Sequence, residues 1–152
     1  MMTRNEIIEE LSRYFDLSEL VCPDVLKKYG EQAWRFFDTA LLHTLLVVRR
    51  DILKVPLYAN DGVSFTQRGL RCNLCELNLN KTDSRNLYMS AHSLGKAVDM
   101  VSPKMTAQQM RDKIAEKADL LPYNVRIERD VSWLHIDTYD AGNGEKITYF
   151  NG

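Results

Sequence analysis

The string Trp133-Leu134-His135-Ile136-Asp137 alternates with a period of two, a pattern that an extended strand turns into two distinct faces. As a strand it sets Leu134 and Ile136 on one face and Trp133, His135 and Asp137 on the other. The first face demands a core, and the second places an imidazole and a carboxylate directly beside it. A second string raises the same demand. In Ala97-Val98-Asp99-Met100-Val101 a carboxylate lies inside a run otherwise suited to burial, and a buried carboxylate requires a partner. Just upstream, Ser90-Ala91-His92-Ser93-Leu94-Gly95 carries the other histidine of this half, and Gly95 permits a sharp turn between His92 and the Asp99 strand. Taken singly, each residue has an ordinary reading: His92 capping a loop, Asp99 as a surface carboxylate, His135 as a satisfied core histidine. Together, two imidazoles and one carboxylate supply three ligands and leave the fourth tetrahedral position to water, as in a catalytic rather than a structural zinc site.

The rest of the chain reads as α+β, with helices first and then a small antiparallel sheet crossed by a helix. Its 152 residues suit one domain with a helical N-terminal part, 1–54, and a metal-site core, 55–152. Thr3-x-x-Glu6 is a capping box, followed by Ile7, Ile8, Leu11, Tyr14 and Phe15 at helical spacing. Pro23 suits the first turn of a short helix ending near Gly30. A longer helix is expected from Glu31 to Leu53, with His43 inside it as a packed or capping residue. Asn60-Asp61-Gly62 marks a turn between two short extended runs. Thr106-x-x-Gln109 caps a helix that closes near Leu121-Pro122. Strands are expected at Ala97–Val101, Asn124–Glu128, Ser132–Thr138 and Lys146–Phe150, with a turn at Arg129–Val131 between the middle two.

Twenty basic residues oppose twenty-one acidic ones, so the charge balance calls for neither nucleic acid nor an anionic membrane. The acidic, amphipathic start lacks a secretory signal, and the apolar run Ala40–Val48 falls far short of a membrane span. The expectation is synthesis in the cytoplasm, with delivery by other means to any substrate outside. Cys22, Cys72 and Cys75 are too few for a disulfide framework. Cys72-Asn73-Leu74-Cys75 has the spacing of a zinc knuckle or redox pair, but no second pair completes four ligands. Ordinary, partly buried thiols are the plainer reading beside a redox or accessory metal role.

Ser90-x-His92, Gly95-x-Ala97-x-Asp99 and the later Trp133-x-His135-x-Asp137, in that order, resemble the zinc D-Ala-D-Ala carboxypeptidases and L-alanyl-D-glutamate endopeptidases of bacteria and phages. That family shares its fold with the hedgehog signalling domain. The resemblance covers roughly residues 55 to 150. It implies one zinc ion held by His92, Asp99 and His135, and a peptidase acting on peptidoglycan stem peptides. Val63-Ser64-Phe65-Thr66-Gln67-Arg68-Gly69-Leu70-Arg71-Cys72 resembles, in divergent form, the strand whose arginine lines the family's substrate cleft. Arg71 takes that place and Gln67 adds a hydrogen bond, the alternative being that Arg68 and Arg71 are surface charges. Without a secretory signal, a phage or prophage protein such as an endolysin, acting on the cell wall after release, fits better than a housekeeping carboxypeptidase.

The catalytic base stays open at this level. A zinc peptidase needs a carboxylate beside the attacking water. Many relatives carry a Glu three residues before the last histidine, where this chain has Ser132. Other branches place it across a hairpin turn, which leaves Glu128, at the end of its strand, or Asp130 within the turn. Asp137 is the candidate orienter of His135, and Ser90 the support of the His92 loop. If neither carboxylate serves, the alternative is a zinc-binding structural or recognition module of the same fold.

Overall fold

The structure, a computed structural model, describes residues 1–62, 64–81, 85 and 87–152. Its helical part opens with α1 (Arg4–Leu11), capped by Thr3 and Glu6 reciprocally as the sequence requires. A second capping box, Asp16 with Glu19, starts the one-turn α2 (Leu17–Leu20) that the sequence reading passed over. Next comes α3 (Pro23–Tyr29), with Pro23 in its first turn.

The expected long helix from Glu31 to Leu53 is broken. A 3-10 stretch, Gly30–Phe36, gives way at extended Phe37 and Asp38, and α4 (Thr39–Val47) begins again with the Asp38 carboxylate accepting from Ala40 N–H. Asp38 is a better cap than helix interior, because its side chain competes for backbone donors. A π turn, Val48–Leu53, follows α4 and ends at left-handed Lys54. Leu41, Leu42, Thr44, Leu45, Leu46 and Val47 are all buried, so α4 is covered on nearly every side. His43 meets the Tyr123 ring edge-on.

In the second half, α5 (Glu76–Leu79) is a single turn, and α6 (Ala107–Glu116) is capped by Thr106 and Gln109 as expected. The strands are β1 (Ala97–Met100), β2 (Val125–Glu128), β3 (Leu134–Asp137) and β4 (Ile147–Phe150), in sheet order β1-β3-β2-β4. Fold class is therefore α+β with a small sheet and flanking helices, but the sheet is mixed rather than antiparallel throughout. β3 pairs antiparallel with both β1 and β2, whereas β4 runs parallel to β2. The link between β3 and β4 carries the chain past β2 to its outer edge, so β4 reverses relative to β3 and matches β2. Around Asn60 the expected extended runs form only isolated bridges among the described residues, Tyr58 with Val101 and Leu70 with Val21. Val63, the first residue of the string ending at Cys72, lies outside the described residues.

Two glycines fasten the helical half to the sheet. Gly95 has φ +67°, and a Cβ there would sit 2.0 Å from the Phe36 carbonyl oxygen. The Gly95 carbonyl accepts from Asp38 N–H, and Lys96 pairs with the Asp38 carboxylate. Gly69 is equally confined, with a Cβ landing 2.0 Å from the Leu20 carbonyl oxygen. Gly95→Ala should therefore cost about 3 kcal/mol or more, combining left-handed strain with displacement of the Phe36 backbone. A urea melt checks this; a loss below about 1 kcal/mol would show that the turn relaxes freely.

Candidate metal centre

Asp99 and His135 are direct partners across the β1–β3 pair, so the sheet register alone brings them together. His92 joins them from the turn before β1, which Leu94 N–H to Ser90 O, Lys96 N–H to Ala91 O and the Gly95 geometry hold in place. All three residues are buried, and their ligand atoms lie within 4.8 Å of one another, close enough to share one metal ion.

Each ring presents one nitrogen inward and has the other engaged. His92 Nε2 lies 3.4 Å from Asp99 Oδ1 while its Nδ1–H donates to the Gly69 carbonyl at 2.9 Å. His135 Nδ1 lies 2.7 Å from the same Asp99 oxygen, and its Nε2–H donates to Asp137 Oδ2 at 2.8 Å. Asp137 is wholly buried, clasped by the Arg126 guanidinium at 2.9 and 3.0 Å, and accepts from Tyr139 N–H. Metal-ligating histidines are oriented in this way, by a carbonyl or carboxylate on the far ring nitrogen.

Charge in the cluster is tightly balanced. Burial works against charge on His135, yet hydrogen bonds to Asp137 and Asp99 outweigh it and lift the imidazolium to about 9. Burial lowers His92 despite Asp99, leaving its ring neutral. Asp99 stays below the ordinary carboxylate range: desolvation opposes this, and the two histidines overcome it. His135 and Arg126 do the same for Asp137. The His135 ring thus lies between two carboxylates, and a dication bound at Nδ1 would take the place of the proton shared with Asp99 while the Nε2–H stays on Asp137. The donor set of two imidazole nitrogens and a carboxylate oxygen suits zinc.

The centre opens on a cleft of about 570 Å³ that also exposes Ser90, Arg71, Glu128 and Trp133. Of the two candidate bases, Glu128 lines this cleft, whereas Asp130 sits beyond it at φ +59° and is exposed. Ser90 Oγ accepts from Ser93 N–H and meets Ser93 Oγ at 3.0 Å, bracing the His92 turn. Arg71 is a cleft residue, 3.6 Å from Asp99 Oδ2, with its Nε–H donating to the Gln67 carbonyl at 2.6 Å. The Gln67 side chain turns elsewhere and accepts from Leu77 N–H, so Gln67 positions Arg71 rather than facing the cleft. Arg68 is no free surface charge: its guanidinium stacks over Phe65 and Trp133, and its carbonyl accepts from Asp99 N–H at 2.7 Å.

Sequence reasoning missed three contributors. Arg126 shares a strand face with Glu128, and the alternation of Val125 and Ile127 was the signal that could have found it. Phe150 meets the His135 ring edge-on at 5.4 Å, reaching across β2 from β4. Arg111, buried on α6, donates to the Trp133 and Val131 carbonyls and so fixes the turn that delivers β3. The last two arise from chain crossings that no local pattern announces.

A second group of candidate metal ligands is present. The sulfurs of Cys22, Cys72 and Cys75 also lie within 4.8 Å of one another. Burial, with Cys22 adding to it, pushes Cys75 up to about 12, and burial raises Cys22 too, so these two are poor nucleophiles as thiols. Among the described residues no helix is long and apolar enough to cross a membrane. Comparison with known proteins gives no match to any family model, curated protein or solved structure.

Proposed function

We propose that the chain is a zinc-dependent peptidase that hydrolyses peptide bonds in peptidoglycan stem peptides, acting on the bacterial cell wall after release, as a phage or prophage enzyme does. The observation that carries this reading is that His92, Asp99 and His135 share one cleft with Glu128. It rests also on the resemblance of the strings around those residues to the zinc carboxypeptidases and endopeptidases named above.

His92 Nε2, Asp99 Oδ1 and His135 Nδ1 would hold the ion. When bound, zinc supplies Lewis acidity, which makes water a nucleophile near neutral pH and polarises the scissile carbonyl. Glu128 takes the proton of the attacking water and returns it to the leaving amine. Arg71 binds a carboxylate of the stem peptide, a group such peptides carry in abundance. Asp137 and Arg126 keep His135 turned toward the centre, and the Gly69 carbonyl does the same for His92.

Mass spectrometry of purified peptidoglycan after incubation with the zinc-loaded protein tests the reading. Stem-peptide fragments should appear, and a chelator or His92→Ala should reduce them to background. Zinc-loaded protein that releases no fragments would leave the recognition module of the same fold as the better account.

A further inference from the structure

All three cysteines of the chain meet at one place, although they come from distant stretches of sequence. Cys22 is the residue before α3, Cys75 the residue before α5, and Cys72 opens the turn between them. The sulfurs of Cys72 and Cys75 are 4.0 Å apart. A disulfide requires about 2.05 Å. Two thiolates on one tetrahedral zinc, with bonds of about 2.3 Å, sit about 3.8 Å apart, so the observed spacing is that of a coordination edge. The turn has the matching hydrogen bond, with Leu74 N–H pointing at Cys72 Sγ at 3.4 Å. Backbone donation of this kind orients a sulfur that ligates a metal.

We infer that Cys22, Cys72 and Cys75 form a second metal site, a tri-thiolate centre for a thiophilic dication such as zinc. Binding exchanges three thiol protons, released to solvent, for one cation, with no change of oxidation state. Cys22 and Cys75 also border a cleft of about 300 Å³ lined by Gln67 and Glu76, which leaves room for water or a carboxylate as fourth donor.

The position of this centre gives it a structural task. Residues 69–72 run between the cysteines and the histidine centre. Leu70 N–H donates to the Leu20 carbonyl, and Cys22 N–H donates to the Leu70 carbonyl. On the other side, the Gly69 carbonyl accepts from His92, and Arg71 N–H donates to the His92 carbonyl. Asn78 continues the link by donating from Nδ2 to both the Cys72 carbonyl and Ser93 Oγ. A cation on the three sulfurs would clamp this segment to α3, and with it the carbonyl that orients His92.

Cobalt(II) titration of the full-length, reduced, metal-stripped protein tests the inference, because the thiolate-to-cobalt charge-transfer band reports sulfur ligands and is blind to the histidine centre. The band should saturate by about two equivalents in the wild-type protein, where the histidine centre takes its share, at about one equivalent in His92→Ala, and largely vanish in Cys22→Ser. Zinc content should fall from about two ions per chain to about one in either variant. Should Cys22→Ser fail to fold by circular dichroism, alkylation of His92→Ala protein decides instead, with zinc expected to protect all three thiols. No sulfur-to-cobalt band in the wild-type protein, an undiminished band in folded Cys22→Ser, or thiols alkylated equally with and without zinc would overturn the proposal. Loss of peptidase activity with the band intact would strike only the histidine-centre reading.

Discussion

Glu128→Gln is expected to lower stem-peptide hydrolysis by about 10²- to 10⁴-fold, the usual contribution of a positioned general base. Zinc content should stay at the wild-type level. The substitution keeps the size and hydrogen-bonding reach of the side chain and removes only its ability to take a proton. Asp130→Asn makes the same chemical change on the exposed residue outside the cleft and should leave the rate within about twofold. The pair of variants separates two carboxylates only two residues apart in sequence, Glu128 at the end of β2 and Asp130 in the turn before β3. Folding distinguishes them. Glu128 is still in β2, paired with Phe150 of β4, on the same face as Arg126, while Asp130 occupies the left-handed corner of the turn. Zinc-loaded Glu128→Gln with undiminished activity would remove Glu128 from the mechanism. A collapse in Asp130→Asn alone would transfer the role to the turn.

The same contrast shows what the sequence made legible. Wherever structure follows from a local rule, it was visible. The capping boxes at Thr3 and Thr106, Pro23 at a helix start, and the alternation around His135 all lie where expected. Asp99 opposite His135 was legible as chemistry, since a buried carboxylate demanded a partner, and the register supplies it. What stayed hidden depends on distant segments. The parallel β4 is one case, because strand direction follows from the path of a connection and not from the strand's own residues. The meeting of Cys22 with the Cys72–Cys75 turn is another. Leu20 and Gly69 must approach without an intervening Cβ for it to occur, and no spacing rule links residues so far apart. The break at Asp38 was readable and was overlooked: apolar periodicity continued through it, while the side chain favoured capping.

Arg126→Met is expected to weaken zinc binding at the histidine centre by about 10- to 100-fold, although Arg126 touches no ligand atom. Asp137 has no exposure and holds three partners, the Arg126 fork, His135 Nε2 and Tyr139 N–H. Removing the guanidinium leaves a buried carboxylate with a single cationic neighbour, which raises its proton affinity and loosens its hold on the imidazole. Met is chosen because the Arg126 head also packs over Phe150 at 4.7 Å and Tyr139 at 5.0 Å, and an unbranched apolar stem preserves part of that contact. The metal-free fold should lose about 2–3 kcal/mol, at the low end for breaking a buried pair because the Arg126 side chain keeps 28% exposure. Arg126→Lys should fall between the two proteins, keeping the charge while losing the two-pronged geometry. Competition with a chromophoric chelator reads the affinity, and a urea melt reads the stability. Unchanged affinity with reduced stability would mean that Asp137 serves the core alone. Loss of both in Arg126→Met, with partial recovery in Arg126→Lys, ties the orientation of His135 to the Arg126–Asp137 pair and makes the third ligand a product of β2 as much as of β3.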